Sequence, residues 1–288
     1  MKKILVLTDL SENTPNLTRA AVKLAIKLQT DILLFKIYQS IPVTPFYGAG
    51  PWVGEFETWW EQESKDKLVH MAIELQQFIQ SSYPGEKWRP EVSSRYEEGN
   101  LADSVKRIAE HEDIELVIMG SSNESSFEHL LFGNNTKSVI AHARRPVLII
   151  PNGFEFNDIS KVVFATDFNI IDIKAINYLA DLGEILPFEL EVVHVDVFDD
   201  QQDSGTTARK VFLNMLEDIN FPDLQHKEIQ GRNVAKSLKQ LCSGQGVDML
   251  GVLHHQDSLI IRTIRQSTAS DILEKQTIPV IIFPSKMT

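Results

Sequence analysis

The chain repeats itself, and this internal repeat limits the possible folds more than any other feature of the sequence. Residues 3–9 read KILVLTD, and residues 161–167 read KVVFATD, at an offset of 158. The next apolar runs, DILLFKIY (31–38) and ELEVVHVD (189–196), keep the offset of 158. Matching segments in the same order predict two copies of one structural unit.

The offset between the copies changes part-way along the chain. The segments around Gly99 and Gly231 correspond at an offset of 132, and RRPVLIIP (144–151) corresponds to TIPVIIFP (277–284) at 133. The fall from 158 to 132 predicts 26 extra residues in the first copy, which we place at 39–64. This segment is rich in Pro, Gly and Trp. A surface loop that packs its own aromatic residues explains that composition, and so does a lid over a ligand or a partner surface.

Within each copy, apolar runs typical of buried strands alternate with segments whose apolar residues recur at helical spacing. Strands separated by helices predict an α/β fold, with a parallel sheet and helices on both faces. The length of 288 residues suits two domains of this kind. We expect domains at 1–152 (the first half) and 160–288 (the second half), joined by a linker at 153–159. The polar alternating run EVSSRYEEG predicts a strand near a sheet edge, and Asn100 is a candidate helix cap.

Composition excludes several classes of protein. The chain has 40 acidic and 28 basic residues, a formal net charge of −12. The first part carries 20 acidic and 16 basic residues (−4) and the second 20 and 12 (−8), so general nucleic-acid binding is not expected. Cys242 is the single cysteine, which excludes an intrachain disulfide. The apolar runs are too short for a signal peptide or a membrane helix. We therefore expect a cytoplasmic protein with no membrane partner.

Ligands of parallel α/β sheets bind beyond the carboxyl ends of the strands. In the first half this places Thr8, Asp9, Ile37, Tyr38 and Gly120 at the predicted site. Asp9 and its equivalent Asp167 have two interpretations. A carboxylate after the first strand serves as a helix cap, or it contacts a hydroxyl or base of a ligand.

The segment after the fourth strand, residues 119–139, is the second candidate. Gly120 and Gly133 flank a run of small polar residues, and a predicted helix begins near Asn134 and Asn135. Backbone N–H groups at such a helix start are able to cradle a phosphate. The P-loop and G-x-G-x-x-G motifs are absent from the sequence.

These features together resemble the universal stress protein family: the Asp after strand one, VIMGSS after strand four, and the HARRPVLIIP strand. The resemblance covers the whole chain as two tandem domains. It implies Rossmann-like domains of the adenine-nucleotide alpha-hydrolase kind, each with a five-stranded parallel sheet. It also implies that the last strands pair across a two-fold axis, here within one chain as a pseudo-dimer. Further homodimerisation stays open.

In the ATP-binding branch of the family, the motif is Gly, two residues, Gly, nine residues, then Gly followed by Ser or Thr. In the first half this pattern falls on Gly120, Asn123, Gly133 and Asn134, and two of the four positions match. In the second half it falls on Leu253, Gln256, Gln266 and Ser267, and Ser267 alone fits. The resemblance therefore implies ATP or another adenine nucleotide in the first half and a degenerate site in the second.

Catalytic and metal sites are not expected. The sequence has no G-x-S-x-G motif and no evident carboxylate pair, so weak ATP hydrolysis is the most we expect. His254 and His255 are adjacent and cannot both face one metal ion from a single helix or strand. We expect a stress-response binding and signalling module with a protein partner not defined by the sequence. The alternatives are an interaction protein of the same fold that binds no nucleotide and, less favoured, a nucleotide-processing enzyme.

Overall fold

The computed structural model describes residues 1–11, 14–38, 52–121, 134–156, 159–197, 206–244, 246–254 and 278–287. The first half contains β1 (Lys3–Leu7), α1 (Thr14–Leu28), β2 (Asp31–Tyr38), α2 (Trp52–Ser82), β3 (Val92–Glu98), α3 (Leu101–His111), β4 (Ile114–Gly120), α4 (Asn134–Ala143) and β5 (Val147–Ile150). The second half contains β6 (Lys161–Thr166), α5 (Asp172–Ile185), β7 (Glu189–Val197), α6 (Thr206–Glu217), β8 (Leu224–Gly231), α7 (Val234–Gly244), β9 (Met249–His254) and β10 (Val280–Pro284).

The ten described strands form one sheet in the order β3-β2-β1-β4-β5-β10-β9-β6-β7-β8. The strands of each half are parallel to one another, as the alternation of strand and helix predicted. The register repeats as well: Lys3 pairs with Asp31, and Lys161 pairs with Glu189, so one offset of 158 relates both strands. The α/β Rossmann-like fold expected from the sequence is therefore confirmed.

The two halves meet through their last strands. β5 and β10 pair antiparallel, with Ile281 opposite Leu148 at the centre of the pairing. This pairing joins the half-sheets inside one chain, as the family resemblance implied. The polar strands β3 and β8 lie at the two edges, so the prediction of an edge position for EVSSRYEEG is confirmed. The domain boundaries at 152 and 160 stay a prediction.

Helices cover both faces of the sheet. On one face α1, α2, α5 and α6 pack on a core that includes Val6, Leu34, Phe164 and Phe212. On the other face α3, α4 and α7 pack on a second core. Each core contains buried residues from both halves, so the apolar interior is continuous across the β5–β10 pairing. None of the described helices has the length and apolar character that a membrane span requires.

The interpretation of residues 39–64 as a loop is wrong from Trp52 onward. α2 begins at Trp52 and has 31 residues, whereas the corresponding α6 has 12. Most of the extra length is therefore helical, and residues 39–51 lie outside the described part. Two ion pairs between residues four apart lie along this part of α2 and support it: Lys65 with Glu61, and Lys67 with Glu63 at 2.7 Å.

The offset between the two halves rises from 132 at Gly99 and Gly231 to 133 near the chain end. The residue added in the second half lies between its third strand and its third helix. Asn100 precedes α3, and its side chain accepts hydrogen bonds from the Ala102 and Asp103 N–H groups, so the predicted cap is confirmed. Asn233 precedes α7 and accepts a hydrogen bond from the Lys236 N–H at 2.9 Å. These two caps correspond at an offset of 133, so Arg232 is the added residue.

Candidate functional site

A cavity of about 380 Å³ opens at the carboxyl ends of β1, β2 and β4 in the first half. It lies where the strand order changes direction, because the chain passes from β1 to β2 on one side and β4 flanks β1 on the other. Four predicted residues line it, namely Thr8, Asp9, Ile37 and Gly120. Met119, Ser121 and Thr136, from the candidate segment 119–139, also line it. Lining residues that the sequence did not predict include Ser11, Thr14, Asn16, Lys36, Pro151 and Asn152.

The turn after β1 is held by short-range hydrogen bonds. The buried Thr8 hydroxyl accepts from the Leu10 N–H at 3.0 Å and lies 3.1 Å from the Thr14 hydroxyl. Asp9 Oδ1 accepts from the Ser11 N–H at 2.9 Å, several residues before α1 begins. Asp9 therefore fixes the turn rather than the start of the helix. Leu10 has φ of 65°, a conformation that the surrounding bonds must maintain.

Lys36 was missed by the sequence analysis, although a charged residue inside the apolar strand DILLFKIY was a visible signal. Its Nζ donates to the Asp9 carbonyl oxygen at 3.0 Å. Burial lowers the pKa of Lys36, and the nearby Asp9 carboxylate opposes this shift. The cavity thus contains a half-buried ammonium group at the end of β1.

The far wall of the cavity comes from β4, α4 and the chain after β5. Ser121 N–H donates to the Ile150 carbonyl at 2.9 Å, and Asn152 N–H donates to the Ser121 hydroxyl at 3.2 Å. Thr136, in the first turn of α4, also lines the cavity. Backbone N–H groups of a helix start are therefore close to this wall.

The remaining predicted site residues either lie outside the described residues, have only their backbone described, or lie away from the cavity. Asn123 and Gly133 lie outside the described residues, as do Gln256, Gln266 and Ser267 of the second half. Asn134 and Asn135 begin α4, and only their backbone is described. Tyr38 is not part of the described cavity wall, and its ring stacks on Tyr96 with centroids 6.4 Å apart.

The corresponding position of the second half contains a cluster of packed rings. Phe168, equivalent to Leu10 and likewise at positive φ, stacks on His194 with centroids 4.2 Å apart. Phe212 and His226 lie 5.6 and 5.9 Å from the Phe168 ring. Where the first half has a turn lined by small polar side chains, the second half fills the end of β6 with its own aromatic groups.

A buried carboxyl group anchors the turn after β6. The Thr166 hydroxyl donates to Asp172 Oδ2 at 2.7 Å and accepts from the Phe168 N–H at 3.0 Å. Burial raises the pKa of Asp172 to about 7, and the neighbouring Asp167 adds to the shift. Asp167, the predicted equivalent of Asp9, therefore lies beside this buried group.

Comparison with known proteins places the chain in a family. The model of the universal stress protein family matches residues 1–151, more than half of the chain. The chain belongs to the universal stress protein family. Universal stress protein Slr1230 from Synechocystis is 25% identical over 296 residues, which cover 98% of this chain and 100% of the relative. Universal stress protein MJ0531 from Methanocaldococcus jannaschii is 27% identical over 154 residues, 52% of this chain and 81% of the relative.

A solved structure agrees with this universal stress protein in fold. A universal stress protein from Archaeoglobus fulgidus has a TM-score of 0.67 and 18% identity, covering 98% of this chain and 96% of that one. The similarity thus extends over both halves.

Metal ligation finds no support in the described part of this universal stress protein. No group of three or more His, Cys, Asp or Glu side chains there is placed to hold an ion. Cys242 lies within α7, and burial raises the pKa of its thiol to about 12.

Proposed function

We propose that the first half of this universal stress protein binds an adenine nucleotide, with ATP as the first candidate. The observation that carries the proposal is the cavity at the change of strand order, which contains Asp9, Gly120 and the start of α4. Its volume of about 380 Å³ falls within the range of small-molecule sites. The half with this cavity is also the half that keeps two glycines of the family motif.

We further propose a binding and signalling role in the cytoplasm, with ATP turnover slow or absent. The residues at the described cavity suit recognition: hydroxyl groups, one carboxylate, one ammonium group and backbone donors. In this proposal, a partner protein binds differently to the nucleotide-bound and the nucleotide-free first half.

Calorimetric titration with ATP tests the binding proposal. Apart from its chain neighbours, no atom of the described residues lies within 4 Å of a Cβ at Gly120, so Gly120→Ala suits the described fold and places a methyl group at the ligand cavity. We expect ATP affinity to fall about tenfold, equivalent to about 1.4 kcal/mol. Gly85→Ala is the matched control, because its Cβ also meets no atom within 4 Å and the residue lies outside the cavity. Equal ATP affinity of the two variants would contradict the assigned site.

An interaction protein that binds no nucleotide is the second candidate, and α2 favours it. Trp59 is 57% exposed, and Val69 and Ile73 are each 50% exposed on this long helix. Exposed apolar side chains on one helix suit a protein partner. The absence of ATP binding at millimolar concentration would favour this function over the first.

A further inference from the structure

The first-half cavity contains a cation whose position the family motif does not explain. Lys36 is a residue of β2, but its Nζ bonds to the carbonyl oxygen of Asp9, just beyond the end of β1. The side chain therefore crosses from one strand end to the next. It lines the same cavity as Asp9 and Gly120.

This crossing brings the ammonium group to the end of β1, the strand that lies between β2 and β4. β1 pairs with β4 on its other side, where Leu7 is opposite Met119 and Gly120 follows. Neighbouring strands lie about 4.8 Å apart. The Lys36 ammonium group thus lies at the end of β1, the strand between β2 and β4, and it lines the cavity together with Gly120 at the end of β4.

Within the described part of the chain, the Lys36 ammonium group has donors left for a ligand. It carries three N–H donors, of which the Asp9 carbonyl takes one. Within the described residues, Lys36 forms no ion pair with a carboxylate. A half-buried cation gains more from an anionic partner than an exposed one, because less water screens the charge.

The second half shows that this charge is a property of the first half alone. His194 occupies the equivalent position, and its Nδ1 lies 2.9 Å from the Thr166 carbonyl oxygen. Its ring packs on Phe168. The side chain at this position thus contacts a backbone carbonyl at the end of the first strand in the second half, and one residue further along in the first half. Among the described residues, the first half has a lysine there that faces a cavity, and the second half has a histidine packed against a ring.

We propose that Lys36 binds the anionic part of the ligand and makes the first half select phosphorylated nucleosides over uncharged ones. This inference rests on the proposed function. The sequence has no P-loop lysine, and Asn123 replaces a glycine of the family phosphate motif. In this proposal, β2 supplies through Lys36 a cation that the family motif does not contain.

Calorimetric titrations of the full chain with ATP, adenosine and tripolyphosphate test the proposal. Lys36→Met keeps the aliphatic stem and removes the charge, whereas Lys36→Arg keeps the charge. We expect Lys36→Met to bind ATP about tenfold more weakly, with adenosine affinity unchanged and ATP affinity largely retained by Lys36→Arg. His194→Gln is the matched control at the equivalent position and should leave ATP affinity unchanged. Thermal melts verify that each variant is folded at the assay temperature.

The outcomes separate this inference from the proposed function. Equal ATP affinity in the wild type and Lys36→Met would overturn the role of Lys36 and leave nucleotide binding intact. Equal loss of adenosine and ATP affinity would show that Lys36 shapes the cavity rather than binding the anion. Tripolyphosphate binding that Lys36→Met abolishes, without ATP binding, would uphold the anion site and overturn the adenine nucleotide. If neither ATP nor tripolyphosphate binds to the wild type, both proposals fail.

Discussion

Asp172 and Thr14 occupy equivalent positions at the starts of α5 and α1, and the difference between them is chemical. Both side chains contact the hydroxyl of the threonine that follows the first strand of their half, Thr166 or Thr8. In the first half this contact joins two neutral groups. In the second half it joins a hydroxyl to a buried carboxyl whose pKa is raised to about 7. The difference between Thr14 and Asp172 therefore adds a titrating group to the second half that the first half lacks at this position.

Asp172→Asn should change how stability depends on pH. An unfolded aspartate has a pKa of about 3.9. The folded state therefore holds a proton that the unfolded state releases between about pH 4 and pH 7. The contribution of Asp172 to the free energy of unfolding is therefore fully present below pH 4. It is lost as pH rises through 7, by up to about 1.4 kcal/mol per pH unit. Asparagine keeps an acceptor for Thr166 and does not titrate.

Urea denaturation from pH 4.5 to 8.5 measures the effect. The free energy of unfolding of Asp172→Asn, relative to the wild type, should rise as pH increases to 7 and then level off. The difference between the proteins is the quantity to follow, because burial lowers the pKa of His226 and gives it the opposite pH trend. The exposed Asp181 on the same helix supplies the control variant Asp181→Asn. A relative stability of Asp172→Asn that does not vary with pH would show that Asp172 is ionised throughout.

At the scale of elements, the sequence predicted what depends on local pattern. The strands and most helix boundaries follow from apolar periodicity, and the cap at Asn100 follows from its position before an amphipathic helix. The start of α2 was missed because the Pro, Gly and Trp residues of the segment are typical of a loop. The pairs Glu61–Lys65 and Glu63–Lys67 lie further along the helix. The ring cluster around Phe168 was missed for another reason. His194 and His226 reach it from different strands, so no local pattern indicated the contact.

The two equivalent caps should contribute similar stability. Asn100→Ala and Asn233→Ala each remove a side-chain acceptor from the first turn of a helix. We expect each to lower the free energy of unfolding by about 1 kcal/mol, measured by urea denaturation. Asn100→Asp should retain most of the stability. The exposed Asn214 within α6 supplies the control, since Asn214→Ala removes no cap. A loss from Asn214→Ala as large as that from the cap variants would contradict the capping role.

At the scale of the whole molecule, one sheet and two continuous cores join the halves. The repeat predicted two similar units, and the family resemblance implied that their last strands pair. The sequence could not show that buried residues of both halves share each core, because these contacts depend on how helices cross the β5–β10 pairing.

We expect the halves to unfold together. All four tryptophans lie in the first half, so their fluorescence reports on that half alone. Trp88 is held there by a hydrogen bond from its Nε1 to the Thr30 carbonyl at 3.2 Å. Leu190 is fully buried on β7 in the second half, and Leu190→Ala should cost about 2–5 kcal/mol. This loss should shift the tryptophan fluorescence transition as far as the far-UV circular dichroism transition.

The control for this experiment is Val211→Ala, a substitution at a second-half residue that is 40% exposed. It should move neither transition appreciably. If Leu190→Ala shifted the circular dichroism signal and left the tryptophan transition in place, the halves would be independent folding units.

The stoichiometry of ATP binding tests the central claim most directly. Two copies of one fold are present, but we propose a nucleotide site in the first alone, because rings pack at the equivalent turn of the second. Equilibrium dialysis of the full chain against ATP up to millimolar concentration should give saturation at one nucleotide per chain. Saturation at two per chain, or no saturable binding, would contradict the account.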